Sequence, residues 1–162
     1  MTGGKRAKLA RLGQTEALAD RVEAKGMLIT VSMLGAMQAE AYLLIDRPDD
    51  AQRIAIRAAE FSREHGAHGH EAEARQVLGE VALRRGDFSE ARAQFAEALR
   101  IAEELGMRPL IAHCLAGLGR LCLRKGEREQ VRTLLTTAAA MYREMEMHYW
   151  LRPVEFELMQ MT

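Results

Sequence analysis

The sequence repeats itself with a period of 40 residues. Small and apolar residues of one stretch recur in the next, as the pairs Leu78 and Leu118, Gly79 and Gly119, Gly86 and Gly126, Ala91 and Val131, Phe95 and Leu135, and Ala98 and Ala138. A weaker copy lies 40 residues earlier, at Gln38, Ala39, Asp46, Ala51, Ala55 and Ala58. A fixed period of this size is typical of stacked helical hairpins, each of which buries its apolar face against its neighbours. The chain is therefore expected to fold as a stack of similar units.

The same spacing separates glycines that lie between the copies. Gly26, Gly66 and Gly106 are 40 residues apart, and Glu146 stands at the next expected position in similar surroundings. Glycine takes the left-handed conformation that ends a helix without the steric penalty of a Cβ atom. These positions predict helix ends, with shorter turns near Asp46, Gly86 and Gly126.

Composition favours helices throughout. The 48% of hydrophobic residues consists mainly of Ala, Leu and Met, and the chain has only three prolines. We expect an all-α fold, a right-handed solenoid of antiparallel hairpins with about eight helices, over 5–25, 28–45, 48–65, 69–85, 88–105, 108–125, 128–145 and 148–160. The whole chain 1–162 then forms one domain, with a half-repeat at 5–26, repeats at about 27–66, 67–106 and 107–146, and a capping helix at 147–162.

Charge and cysteine content limit the classes of function that this chain can have. Lys and Arg number 23, as do Asp and Glu, so the net charge is zero and favours neither nucleic acid nor an anionic membrane. The start of the chain has no apolar signal-peptide core, and no apolar run is long enough to span a bilayer, which points to the cytoplasm. Cys114 and Cys122 fall on one predicted helix about 12 Å apart, beyond the roughly 7 Å limit for a disulfide, so we expect two buried free thiols.

The pattern L-G-x-x-A-x-x-x-G-D-F-x-x-A-x-x-x-F-x-x-A-L resembles a tetratricopeptide repeat. The matching residues are Leu78, Gly79, Ala82, Gly86, Phe88, Ala91, Phe95 and Ala98. The period of 40 departs from the family's usual 34, which implies longer helices or turns. The stretches HGHEAEARQVLGE, AEELGMRPLIAHCLAGLGRL and AAAMYREMEMHYWL also resemble the C-terminal repeat arrays of bacterial adenylate or guanylate cyclase–ATPase regulators, a likeness that covers roughly residues 27–155. This likeness implies a sensing or partner-binding arm in bacterial signalling, without the cyclase or ATPase modules.

The resemblance implies a concave groove built from the first helix of each hairpin. Carried over position by position, the groove residues are Met33, Ala36, Glu40, Leu43 and Leu44, then Glu73, Gln76, Glu80, Leu83 and Arg84, then His113, Ala116, Arg120, Leu123 and Arg124. The groove would change from apolar to basic along its length and would suit a peptide with an apolar and an acidic end, because Arg can clamp carboxylates. The alternative is that Arg120 and Arg124 are ordinary solvated charges.

No residue set predicts catalysis or a cofactor. His65, His68 and His70 lie near carboxylates but in a glycine-containing turn, so we predict no metal site. His113 and Cys114 are adjacent on a helix, where side chains point about 100° apart, so they form no catalytic pair. The sequence therefore predicts a non-enzymatic scaffold that binds a protein or peptide.

A second hypothesis concerns the apolar C-terminal segment. Methionines 141, 145, 147, 159 and 161 lie there with several aromatic residues, which is more apolar surface than one helix face hides. Phe156 and Met159 are the candidates for self-association into a homo-oligomer or regulatory contact. A small-ligand sensor is the remaining alternative, since a superhelical groove can close around a ligand.

Overall fold

A computed structural model describes residues 32–161, and this part of the chain contains seven helices and no strand. They are α1 (described over 32–44), α2 (Pro48–Glu64), α3 (His68–Arg85), α4 (Phe88–Glu104), α5 (Arg108–Lys125), α6 (Arg128–Glu144) and α7 (His148–Met159). The all-helical prediction is confirmed, and the helix ends within 32–161 agree with the predicted ones to within a residue. The predicted helix start at residue 28 and the predicted helix over 5–25 lie outside the described residues.

Each described connection contains one residue in the left-handed conformation. The positive φ angles occur at Asp46, Gly66, Gly86, Gly106, Gly126 and Glu146. The residue after each then donates its N–H to a carbonyl five positions back, as Asp87 does to Ala82 at 2.9 Å and Met147 to Tyr142 at 2.8 Å. This bond is the Schellman motif, which satisfies a carbonyl group at the helix end. Glu146, with a φ of 57°, adopts the conformation that Gly66 and Gly106 have at the equivalent positions.

The helices pack in chain order, and the first helices of the hairpins also meet one another. Each of α2 to α6 packs on the next helix, and α3 packs on α5 as well. Contact between α3 and α5 shows that these helices lie side by side, as the groove prediction requires. Small residues permit this stacking: Ala36, Ala58, Ala59 and Ala74 form one buried cluster that joins α1, α2 and α3.

Phe95 of α4 is wedged between two glycines on different helices. A Cβ added to Gly79 of α3 would lie 2.7 Å from the Phe95 ring, and one added to Gly117 of α5 would lie 2.5 Å from it. The ring is completely buried. The device recurs one repeat later, where a Cβ on Gly119 would lie 2.5 Å from Leu135. The in-helix glycines of the repeat therefore make room for a large side chain of the second helix.

Both cysteines are free and buried, as expected. Burial raises the pKa of the Cys114 thiol to about 12, so it stays protonated and unreactive at neutral pH. Within residues 32–161, none of the helices has the length and apolar character needed to cross a membrane.

Candidate binding groove

A cavity of about 410 Å³ opens between α3, α5 and α7. Its lining residues are Glu80, Leu83 and Arg84 of α3, Arg120, Leu123 and Arg124 of α5, and Glu157 of α7. The first six belong to the predicted groove set, in equivalent positions of two successive repeats. The fold therefore brings these predicted residues together around one space, the groove cavity.

Arg120 and Glu157 form an ion pair across the groove cavity. The Nε of Arg120 donates to both carboxylate oxygens of Glu157, at 2.9 and 3.2 Å. Burial disfavours the charge on Arg120, but Glu157 and Glu80 together outweigh this effect and raise the pKa of the guanidinium. Arg120 is therefore a charged residue whose carboxylate partner is already present within the chain.

Glu80 is the second carboxylate of the groove cavity and lies between two arginines. Burial raises the pKa of Glu80, while the charges of Arg120 and Arg84 act in the opposite direction. Glu157 and Glu40 add to the rise because like charges disfavour ionisation. The groove cavity thus contains charges of both signs, and the protonation of each group depends on the charges beside it.

Arg84 and Arg124 occupy the more open side of the groove cavity. Arg84 donates from Nη1 to the carbonyl oxygen of Leu43 at 3.0 Å and lies 4.0 Å from the exposed Asp46. Arg124 is exposed and forms no ion pair with any residue in the described range. These two guanidiniums, beside the apolar surfaces of Leu83 and Leu123, are the cations most accessible to a ligand.

The imidazole of His113 packs against two aromatic residues, Tyr142 and Trp150. Its Nδ1 lies 2.7 Å from the hydroxyl of Tyr142, and its ring packs edge-on against Trp150 with centroids 4.6 Å apart. Burial, with the nearby charge of Arg120, lowers the pKa of His113 to about 4, and burial raises that of Tyr142. At neutral pH the imidazole is therefore uncharged, and a hydrogen bond joins its Nδ1 to the Tyr142 hydroxyl.

The remaining predicted groove residues divide into buried and open ones. Leu43 is only 6% exposed and packs in the core with Ala39 and Val77, so its side chain is not available to a ligand. Ala36 and Ala116 are likewise mostly buried, whereas the small exposed part of Leu83 lines the groove cavity. The open or partly open members are Met33, Glu40, Leu44, Glu73, Gln76 and Leu123. Glu73 lies 2.9 Å from His70 of its own helix.

Transfer of groove positions by the 40-residue period missed Glu157, Tyr142 and Trp150. Glu157 meets Arg120 at a separation of 37 residues, so it falls outside the series of equivalent positions. The signal that could have found it is Arg120 itself, a cation on a helix that faces the next first helix of the array.

The C-terminal segment is less open than its methionine content predicts. Met141, Met145, Met147 and Met161 pack against the core cluster. Tyr149, Phe156 and Met159 remain exposed, at 74%, 58% and 67%. Both candidates for self-association, Phe156 and Met159, are thus on the surface.

The histidines near the second turn have separate partners. The Nδ1 of His65 bonds to the carbonyl of Phe61 at 2.8 Å, His68 lies 3.5 Å from Glu71, and His70 pairs with Glu73. No group of three metal-binding side chains occurs among residues 32–161.

Comparison with known proteins agrees with the architecture. Residues 30–104 match the family model described as tetratricopeptide repeat. No curated protein matches the sequence. The crystal structure of aspartyl phosphate phosphatase F from Bacillus subtilis has a similar fold, with a TM-score of 0.73 and 18% identity over 82% of this chain. The alignment covers 35% of that structure, so this chain spans about a third of its length. Together these findings agree with a stack of helical hairpins that is similar to tetratricopeptide repeats over residues 30–104.

Proposed function

We propose that this chain is a non-enzymatic interaction module that binds a peptide segment of a protein partner along α1, α3 and α5. The observation that carries the proposal is the groove cavity, where Leu83 and Leu123 lie beside Arg84 and Arg124. The segment it suits has an apolar end, which packs towards Met33 and Leu44, and an acidic end, which pairs with the two arginines. Arginine recognises carboxylates through two parallel hydrogen bonds, which gives orientation as well as attraction.

The likeness to C-terminal repeat arrays of bacterial signalling regulators supports a role as a sensing or partner-binding arm. Tetratricopeptide repeats generally mediate protein interactions, and the match over residues 30–104 agrees with this role. At 18% identity, the likeness to the phosphatase from Bacillus subtilis supports a shared fold only.

A peptide of known composition tests the groove directly. The probe is a fluorescein-labelled peptide with leucines followed by glutamates, compared in fluorescence anisotropy with one that has lysines in place of the glutamates. We expect the acidic peptide to bind more tightly. The double variant Arg84→Glu with Arg124→Glu should weaken its binding about tenfold, because two attractive charges become repulsive.

The matched control is Arg128→Glu with Arg132→Glu on α6, which makes the same change of net charge outside the groove. Both control arginines are exposed and have no ion pair within the described part of the chain. Equal weakening by the two double variants would show a nonspecific charge effect. Unchanged binding by the Arg84 and Arg124 variant would refute the groove assignment.

Self-association through α7 is the second candidate function, favoured by the exposure of Phe156 and Met159. If these side chains form a contact between copies, light scattering should show a dimer that Phe156→Asp dissociates. Thr136→Asp, an exposed position on α6, is the control and should leave the dimer intact. A monomer at all concentrations would exclude this candidate.

A further inference from the structure

α7 touches α5 at two points with the same spacing on both helices. His113 meets Trp150, and seven residues later Arg120 meets Glu157. Seven residues correspond to about two helical turns, so both contacts lie on one face of each helix. Glu157 is thereby fixed directly opposite the guanidinium of Arg120, inside the groove cavity.

The ion pair lies where a ligand can reach it. The side chains of Arg120 and Glu157 are 32% and 24% exposed, and both line the groove cavity. An ion pair that is partly open to water gains little net free energy, because water and ligands compete for both partners. A carboxylate that enters the groove cavity therefore meets an arginine whose internal partner is replaceable.

Exchange of carboxylates does not require α7 to detach. Leu151 and Val154 hold this helix in the core cluster, at 7% and 0% exposure, and neither lies in the groove cavity. Glu157 has only to rotate its side chain to release Arg120. The helix stays in place while the guanidinium changes partner.

We propose that Glu157 is an internal competitor that occupies Arg120 until a carboxylate of the bound peptide displaces it. This inference rests on the proposed peptide-binding function and concerns its regulation. Arg120 then joins Arg84 and Arg124 as a third cation for the ligand, and Glu157 sets the affinity by making every acidic ligand displace a carboxylate. Ligands with few negative charges are disfavoured most, because they gain least from the exchange.

Two substitutions at Glu157 test the proposal with the leucine–glutamate peptide. Glu157→Gln removes the competing charge, and we expect binding about two- to fivefold tighter, which corresponds to an ion pair that is partly exposed. Glu157→Asp keeps the charge but shortens the side chain, so it should also tighten binding by loosening the contact with Arg120. Circular dichroism confirms that each variant retains its helical content.

Glu155→Gln is the matched control, since it removes one charge from the same helix. Glu155 pairs with Arg143 on α6 and does not line the groove cavity. We expect it to leave binding unchanged. In an Arg120→Gln background Glu157→Gln should tighten binding less than in the wild type, because the residue for which the carboxylates compete is absent and only the repulsion between Glu157 and the acidic peptide is relieved.

The outcomes separate this proposal from the proposed function. If the peptide binds and the Arg84 and Arg124 variant weakens binding, but Glu157→Gln does not tighten it, the competitor role is overturned and the groove assignment stands. Equal tightening by Glu155→Gln and Glu157→Gln also overturns it, since the effect is then one of net charge. If wild-type protein does not distinguish the acidic from the basic peptide, the proposed function itself fails.

Discussion

Substitution of Gly79 by alanine should destabilise the protein, although alanine is the better helix former. The added Cβ would lie 2.7 Å from the ring of Phe95, closer than unstrained carbon atoms approach. The ring cannot retreat freely, because it is completely buried and also lies against Gly117. Overpacking of a core costs about 1–3 kcal/mol, whereas replacing a helical glycine by alanine gains about 1 kcal/mol. We therefore expect a net loss of up to about 2 kcal/mol, and Gly79→Leu should be worse.

Thermal unfolding followed by circular dichroism measures this loss. For a chain of 162 residues, 1 kcal/mol corresponds to a change in Tm of about 2–4 °C, so Gly79→Ala should lower Tm by about 4–8 °C at most. Gly69→Ala on the same helix is the control, because its Cβ would lie 3.4 Å from the flexible Met107 side chain. This variant should raise Tm slightly, by reducing the entropy of the unfolded chain.

A double-mutant cycle isolates the contact with the ring. In a Phe95→Leu background the side chain opposite Gly79 is smaller, so Gly79→Ala should cost little there. A coupling free energy of about 1 kcal/mol or more is expected. The reasoning is refuted if Gly79→Ala has the same cost in both backgrounds, or if Gly79→Ala and Gly69→Ala change Tm alike.

Substitutions at His113, Asp87 and Glu146 should also change the stability of the protein measurably. His113 has a pKa of about 4 in the folded protein, below its ordinary value, so the unfolded state binds more protons than the folded state as pH falls from about 6.5 to 4. The free energy of unfolding should therefore decrease over this window, and it should decrease less in His113→Gln. Denaturant titrations at each pH measure this difference. Asp87 accepts a hydrogen bond from the backbone N–H of Glu90 at 3.1 Å, so Asp87→Ala should cost about 1 kcal/mol in urea unfolding, and no loss would exclude a capping role. Glu146→Gly should raise Tm and Gly126→Ala should lower Tm, because the left-handed conformation costs a residue with a Cβ about 1 kcal/mol. Tm changes of the same sign in the two variants would contradict this account.

Periodicity in the sequence predicts the helices well but predicts the groove only in part. Helix ends could be located because Gly66, Gly86, Gly106 and Gly126 mark them chemically, and even Glu146 follows from the spacing. The gathering of Glu80, Arg84, Arg120 and Arg124 also follows, because equivalent positions of stacked repeats face the same side.

The pairing, pKa and burial of each groove residue depend on contacts that cannot be read from the 40-residue repeat of the sequence. Glu157 lies outside the equivalent positions, so the occupation of Arg120 could not be deduced from it. Burial lowers the pKa of His113, and burial depends on Trp150 and Tyr142 from two later helices. Leu43 has a groove position in the repeat but packs into the core, because α1 lies against α2 and α3 through small residues.

The position of Phe95 bears on how the array can be divided. Helical repeat arrays are often treated as strings of separable modules, to which units are added or from which they are removed. Here one side chain fills space left by glycines on α3 and α5, in successive hairpins. A cut between α4 and α5 would expose the part of this ring that lies against Gly117 and leave Gly117 opposite an empty space. The smallest piece of this protein that can be expected to stand alone therefore contains α3, α4 and α5 together, and its amide protons should exchange with solvent in one common opening event.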